Sequence, residues 1–396
     1  MALLTINTGS SSLKATLYSS AAGGRAGQRR EVSLLAERIG YEDAQLRISD
    51  AAGATLLDGR RDLPDHAAAL DAFTGWLRQE RPDRDVTAIG HRIVHGGEDH
   101  REPERVTAAL LVDLRALVPI APDHLPQALA AIAAVRREYP EVPQIACFDT
   151  AFHRRMPPVA RRYALPREYE EAGLLRYGFH GLSYEYIMAT LQAEDAAAAG
   201  GRIVIAHLGS GASMVAVRDG VGRETTMGFS PTGGLVMGTR VGDLDPTVLL
   251  YLLTQGGLTV DAVAELVNKR GGLLGVSGTS GDMRELLDRA GSDPRAAEAI
   301  ELFCYTAKKW LGALVATLGG IDTLVFTGGI GERAAPVRAA ICDGLGFLGI
   351  ALDAGRNAAH ATVISAAGLP VAVRVLPTDE DLMIARHTAQ LVTQGG

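Results

Sequence analysis

The chain has 396 residues, 47% hydrophobic and 21% charged, with a formal net charge of -7. That balance describes a soluble globular protein long enough for two domains of ordinary size, and it argues against a nucleic-acid surface as the main function. The three cysteines, Cys147, Cys304 and Cys342, stand in apolar surroundings without C-x-x-C spacing and read as buried thiols of a reducing compartment.

Met1 leads directly into an apolar strand, with no basic leader, and no apolar run approaches the ~18 residues of a membrane span, so the expected location is cytoplasmic with no membrane partner. Residues 2–6 are that strand. Asn7-Thr8-Gly9-Ser10-Ser11-Ser12 turns it into a second, 13–18. Residues 21–30, rich in Gly and Arg, read as an exposed loop, and 32–48 as a third strand with its partner. A helix is expected over 67–81, with Leu70, Phe73, Trp76 and Leu77 on one face. Residues 86–89 form a short buried strand that runs into Gly90-His91-Arg92, and charged groups at the carboxyl end of a buried strand are where open α/β sheets place ligands. Helices over 107–118 and from Pro122 to 139 follow, with His124 expected in the first turn of the second. The strand 145–148 delivers Asp149, and the main domain boundary is placed here.

Residues 174–183 are a loop that sets His180 between Phe179 and Gly181, with Ser183 expected to cap the helix that follows. The strand 203–206 breaks at Gly209-Ser210-Gly211, a second strand covers 214–217, and Asp219-Gly220 turns again. Two strands joined by a Gly/Ser turn expose backbone N–H groups and hydroxyls that suit an anion. With an offset of 200, Gly9 falls on Gly209, Ser10 on Ser210, and Leu3, Leu4 and Leu17 on Ile203, Val204 and Val217, which suggests a duplicated domain. A Gly-rich loop ends at Arg240, and Asp245-Pro246 opens a helix to 254. A polar loop 276–284 enters another helix. The longest helix runs from Pro294 to Leu318, with Ile300, Phe303, Cys304, Ala307, Leu311 and Leu314 as its buried stripe. The strand 322–327 leads through Gly328-Gly329-Ile330-Gly331 into a helix to 342, and a last strand, 371–376, leads to a C-terminal helix. Strands alternating with helices after an opening hairpin in each half fit two α/β domains facing one another across a cleft.

No Walker loop or G-x-S-x-G occurs, none of the three Gly-rich turns that follow strands (after Ile6, Ala206 and Thr327) completes G-x-G-x-x-G, and no H-x-x-x-H on a helix suggests zinc. What remains on Gly-flanked loops is Arg92, His124, His180, His207 and Arg240, with the carboxylates Asp149 and Glu380. Phosphoryl transfer needs this mix: positive donors and backbone N–H groups for phosphate oxygens, and carboxylates for Mg²⁺. An arginine also grips a carboxylate at two points, so a carboxylic acid is a plausible acceptor.

These residues lie in NTGSSSLK (7–14), GHRIVHGGE (90–98), FDTAFH (148–153), YGFHGLS (177–183), HLGSGAS (207–213), MGTRVGDLDP (237–246), FTGGIGE (326–332) and PTDEDLMIAR (377–386), and through them the chain resembles the acetate/propionate kinase family over nearly its whole length. The resemblance implies two duplicated ribonuclease-H-like domains of the actin-like ATPase type. The first would span 1–149 with helix 381–396 packed back on it, and the second, nucleotide-binding domain 150–380. It further implies a homodimer and an ATP-dependent kinase that transfers a phosphoryl group in line to acetate or another short-chain carboxylate, with Mg²⁺ or Mn²⁺ and ATP/ADP. By resemblance Arg92, Asp149, His180 and Arg240 would be catalytic. Arg92, Val94, Phe179 and Pro231 would hold the acid. Ser10, Ser12, Lys14, His124, His207, Gly209, Ser210 and Gly211 would contact phosphate. Asp282, Met283 and Arg284 with Gly328, Gly329, Ile330 and Gly331 would bind adenosine, and Asn7 and Glu380 would hold the metal. The chain departs from the family at Ser210, at Asp123 (usually apolar, on the acyl wall), at Tyr184 (usually His), at Arg333 (usually Asn) and at Asp379-Glu380-Asp381. Alternatives are a propionate kinase, a pyrophosphate-dependent acetate kinase, and an actin/heat-shock-type ATP-binding module without kinase activity.

Overall fold

A computed structural model describes residues 1–19 and 27–394 and divides into two compact units, Met1–Ala151 with Asp379–Gly396, and Phe152–Thr378. Most of the loop expected over 21–30 lies outside the described residues.

The first unit is built on an eight-stranded sheet. Its strands are β1 (Ala2–Thr8), β2 (Ser12–Ser19), β3 (Arg29–Glu37), β4 (Gln45–Asp50), β5 (Thr55–Arg60), β6 (Val86–Ile93), β7 (Glu104–Arg105) and β8 (Gln144–Phe148), in the order β5-β4-β3-β2-β1-β6-β8-β7. β1, β2 and β3 form an antiparallel meander, whereas β6 and β8 run parallel to β1. Period-two alternation sends Leu4 and Ile6 to a core shared with Leu70, Phe73 and Val135 of helices His66–Glu80 and Leu125–Glu138. Leu3 and Ala88 go to the other face, against Ala385 and Ala389 of helix Glu380–Gln394. Gly90 lets that helix approach: a Cβ there would lie 2.2 Å from Thr388 Oγ1 and 2.5 Å from Ile384 Cγ2.

The second unit carries β9 (Arg202–Leu208), β10 (Ala212–Arg218), β11 (Val221–Thr225), β12 (Thr323–Thr327) and β13 (Ala372–Val375), in the order β11-β10-β9-β12-β13. Again three antiparallel strands are followed by two parallel ones, so the duplication is one of topology. Helix Pro294–Leu318 buries Phe303, Cys304, Ala307, Leu311 and Leu314, while Ile300 is half-buried.

The repeat slips at its turn. Leu4 pairs with Leu17, but Val204 pairs with Ala216, one residue earlier than an offset of 200 requires. The first turn has Gly9 N donating to Ser12 O (2.8 Å), the second has Gly209 N donating to Gly211 O (3.0 Å), so the second is one residue shorter.

Several local expectations shift. Residues 32–48 are the expected strand and its partner, parted at Arg38 (φ 57°), but β5, β7 and β11 were not foreseen. The second helix after β6 begins at Leu125, so His124 is its N-cap and not a first-turn residue. His180, not Ser183, is the N-cap of helix Gly181–Glu194. The helix after β12 breaks at Ala334 because Pro336 has no N–H to continue it. The carbonyls of Gly331 and Glu332 accept instead from Nη1 of Arg338 (2.8 and 2.9 Å), an arginine with no exposed surface.

Candidate active site

In the first unit the carboxyl ends of parallel strands gather four predicted residues. Arg92 lies near the end of β6, Asp149 follows β8, Asn7 is in β1 and Glu380 opens the C-terminal helix. Arg92 Nε and Nη2 both donate to Asp149 Oδ2 (3.0 and 2.5 Å), and Nη1 donates to Asn7 Oδ1 (3.1 Å). Asn7 Nδ2 donates to Glu380 Oε2 (3.2 Å). Burial opposes the Arg92 charge, but the carboxylates of Asp149 and Glu380 outweigh it and raise its pKa above the ordinary value. Two ties hold the start of the C-terminal helix: Arg30 pairs with Asp379 (2.9 Å) and Thr16 Oγ1 donates to Asp381 Oδ2 (3.3 Å). Val94 is buried, Ser10 and Lys14 are exposed, and Ser12 and His124 are half-buried.

In the second unit His180 holds a left-handed backbone (φ 61°, ψ 25°) and stacks on His207, ring centroids 4.2 Å apart. Each Nδ1 meets a hydroxyl: Ser213 Oγ for His180 and Ser183 Oγ for His207, both at 2.8 Å. Thr378 Oγ1 donates to Ser183 Oγ at 2.9 Å. The Nε2 side faces the glycine turn, since a Cβ on Gly211 would lie 3.3 Å from His180 Nε2 and 2.8 Å from Arg240 Nη2. Arg240 Nη1 donates to the carbonyl of Pro231 (2.6 Å). Gly178, before Phe179, has no room for a Cβ, which would come within 2.6 Å of the His153 ring. His153 Nε2 donates to the Phe179 carbonyl (3.0 Å), and burial holds its pKa down to about 4, so it is neutral.

Two further loops reach the same turn. Gly238 N donates to Ser210 O (3.1 Å), and a Cβ on Gly281 would lie 2.7 Å from Gly238 O, which brings the segment before Asp282 and Met283 alongside the Arg240 loop. Asp282 caps helix Met283–Arg289, accepting from the Arg284 and Glu285 amides (2.8 and 3.2 Å). Gly328 (φ 76°) follows β12, and its N–H donates to Glu332 Oε1 (3.0 Å), as does that of Thr378 (3.2 Å). Hence His180, His207, Gly209, Ser210, Gly211, Pro231 and Arg240 share one surface of the second unit, and Asn7, Arg92, Asp149 and Glu380 one surface of the first.

A pattern of the acetokinase family matches residues 2–386. The acetate kinase of Rhodopseudomonas palustris is 46% identical over 99% of this chain and 99% of its own. The chain belongs to the acetokinase family. It is therefore a kinase, an ATP-dependent phosphotransferase with an actin-like ATPase type of fold. Among solved structures, the acetate kinase of Porphyromonas gingivalis superposes with a TM-score of 0.87 at 35% identity, covering 99% of both chains. A propionate kinase of Francisella tularensis gives 0.89 at 33%, covering 98% of this chain and 99% of its own.

Sequence reasoning missed Ser183, Tyr184, Ser213 and Thr378, whose hydroxyls carry the imidazole pair. It also missed Asp243, which anchors the Arg240 loop: Oδ1 accepts from Gly234 N (2.8 Å) and Oδ2 from Trp310 Nε1 (3.0 Å). Arg338 had a readable signal, a cation on the buried Val337–Ile341 face of its helix.

Proposed function

We propose that the chain transfers the γ-phosphoryl group of ATP reversibly to acetate, giving acetyl phosphate and ADP. An acetate oxygen forms the new P–O bond as the bond from γ-phosphorus to the β,γ-bridging oxygen breaks, and ADP leaves with that electron pair. The observation that carries this reading is the convergence of Arg240 Nη2 and His180 Nε2 on Gly211, where no side chain intervenes. Donors fixed in advance beside a bare backbone turn suit the oxygens of a phosphoryl group in transfer. Arg92 would take the acid's carboxylate in two-point fashion, held in place by Asp149. Val94, Phe179 and Pro231 would border its methyl group. His207 with the 209–211 turn, and Ser10, Ser12, Lys14 and His124, would contact phosphate. Asp282, Met283 and Arg284 with residues 328–331 would receive adenosine.

Asn7, Asp149 and Glu380 offer hard oxygen donors beside one another, the donor chemistry of Mg²⁺ sites that rely on one or two carboxylates plus substrate phosphates. Asn7 and Glu380 would hold Mg²⁺, with Asp149 orienting the acceptor; bound there the ion supplies charge neutralisation on the phosphate oxygens. Propionate is the second reading, favoured by the similarity to a propionate kinase.

The working form would be a cytoplasmic homodimer. Helix Pro246–Thr254 (PTVLLYLLT) has no buried residue, with Leu250 60% and Tyr251 62% exposed. An apolar helix so exposed suits a second copy of the chain. Light scattering should return twice the chain mass, and Leu250→Glu should yield monomer. A monomeric wild type would reject the dimer.

The reaction itself is tested by trapping acyl phosphate with hydroxylamine, using Mg-ATP and either acetate or propionate. Acetate-dependent product is expected. Product with propionate alone would move the acceptor, and turnover with pyrophosphate in place of ATP would move the donor. Silence with all of them would leave a nucleotide-binding module.

A further inference from the structure

The first turn of helix Gly181–Glu194 supplies both hydroxyl links to the imidazole pair. Ser183 reaches His207 directly. Tyr184 reaches His180 through Ser213: its OH lies 2.5 Å from Ser213 Oγ, which lies 2.8 Å from His180 Nδ1. Tyr184 and Ser213 have no exposed surface. The tyrosine ring is walled by Phe152 and His153, each with its centroid 5.7 Å away. Ser213 sits in β10 opposite His207 of β9, so the sheet fixes its hydroxyl independently of the helix. A phenol brought to a serine that already touches a histidine has a chemical consequence. With the phenol as donor to Ser213 Oγ, Ser213 donates to Nδ1 and the imidazole proton resides on Nε2, the nitrogen facing Gly211 beside Arg240.

Building on the phosphotransferase reading above, we propose that Tyr184 is a positioning residue for His180, holding it through Ser213 as the Nε2–H tautomer that presents a donor over the glycine turn. The other orientation would present a lone pair there, facing phosphate oxygens that are themselves acceptors.

The test is Tyr184→Phe in the full-length protein, which keeps the ring and removes the hydroxyl. Turnover in the trapping assay should fall about tenfold, the scale of one well-made hydrogen bond, with KM for nucleotide and acid changed less than twofold. In a His180→Ala background the same substitution should change the rate less than twofold, because its route of action is gone. With ¹⁵N-labelled histidine, the His180 signal should read Nε2–H in the wild type and shift toward Nδ1–H in Tyr184→Phe. If Tyr184→Phe does not fold, Ser213→Ala breaks the same chain and carries the same expectations. Wild-type turnover in the variants, equal losses in both backgrounds, or an unchanged tautomer would overturn the assignment. A wild type without turnover would reject the kinase reading alone, and the tautomer would still decide the role of Tyr184.

Discussion

Two hairpins head the two units, with the same strand order around them and opposite chemistry at their turns. In the first unit the charged groups are paired: Arg92 is bonded to Asp149 and Asn7, with Glu380 one link further. In the second, Arg240 stands with two imidazoles whose inner nitrogens rest on neutral hydroxyls. The shared topology brings polar groups to the ends of the parallel strands in both. What differs is the turn, one residue shorter in the second unit and bare at Gly211. On the proposed function, a duplicated frame would give one region to carboxylate and metal and the other to phosphate oxygens.

The strongest way to break this comparison is to remove each arginine. Arg92→Ala and Arg240→Ala should each lower turnover ~10²-fold or more, as expected for lost transition-state charge stabilisation, with circular dichroism unchanged. Near-normal turnover in either would take that residue out of the mechanism. The glycines sharpen the contrast. Gly211→Ala puts a methyl group 2.8 Å from Arg240 Nη2 and should cost about tenfold in turnover, whereas in Gly9→Ala the new methyl meets Ser12 Oγ (2.5 Å), which can rotate away. Equal losses at the two positions would mean that the turns are equivalent after all. A smaller effect, about threefold, is expected for Trp310→Phe, which removes one of the two side-chain bonds by which Asp243 holds the Arg240 loop. Unchanged turnover would show that the loop holds its shape without helix Pro294–Leu318.

The last effect is on stability and leaves turnover aside. Burial depresses the pKa values of His91 and His153 to about 4, below the ordinary 6.5. Between those values the unfolded chain binds more protons than the folded one. The contribution is therefore complete above about pH 6.5 and is lost as pH falls toward 4. Thermal midpoints should drop over that window, and His91→Gln should flatten the drop. A midpoint rising as pH falls would contradict it.

How much of this was legible in the sequence follows from what each feature depends on. Arg92, Asp149, His180 and Arg240 stand next to glycines or strand ends, and such local marks survive in one dimension. In the second unit β9, β10 and β12 were readable as apolar runs, all five residues of β12 and all but one of β10 being buried, whereas β11 after the Asp219-Gly220 turn was not foreseen. β5 was not, since Thr55–Arg60 lies at the sheet edge with most of its residues exposed and little alternation. The slip of one residue between the two hairpins cannot be seen in Gly-Ser-Ser-Ser against Gly-Ser-Gly, because it is fixed by which residue re-enters the ladder. Tyr184 and Ser213 are 29 positions apart and read separately as a helix residue and a strand residue. Only folding turns them into one chain of hydroxyls.

On the proposed function, the γ-phosphoryl group moves to the acid in one direct, in-line transfer. It is tested most directly by the stereochemistry at phosphorus, with ATP made chiral at the γ position by oxygen isotopes and sulfur and with acetate as acceptor. Inversion is expected, one displacement with no covalent intermediate. Retention would require two displacements through a phosphorylated group on the enzyme and would contradict it.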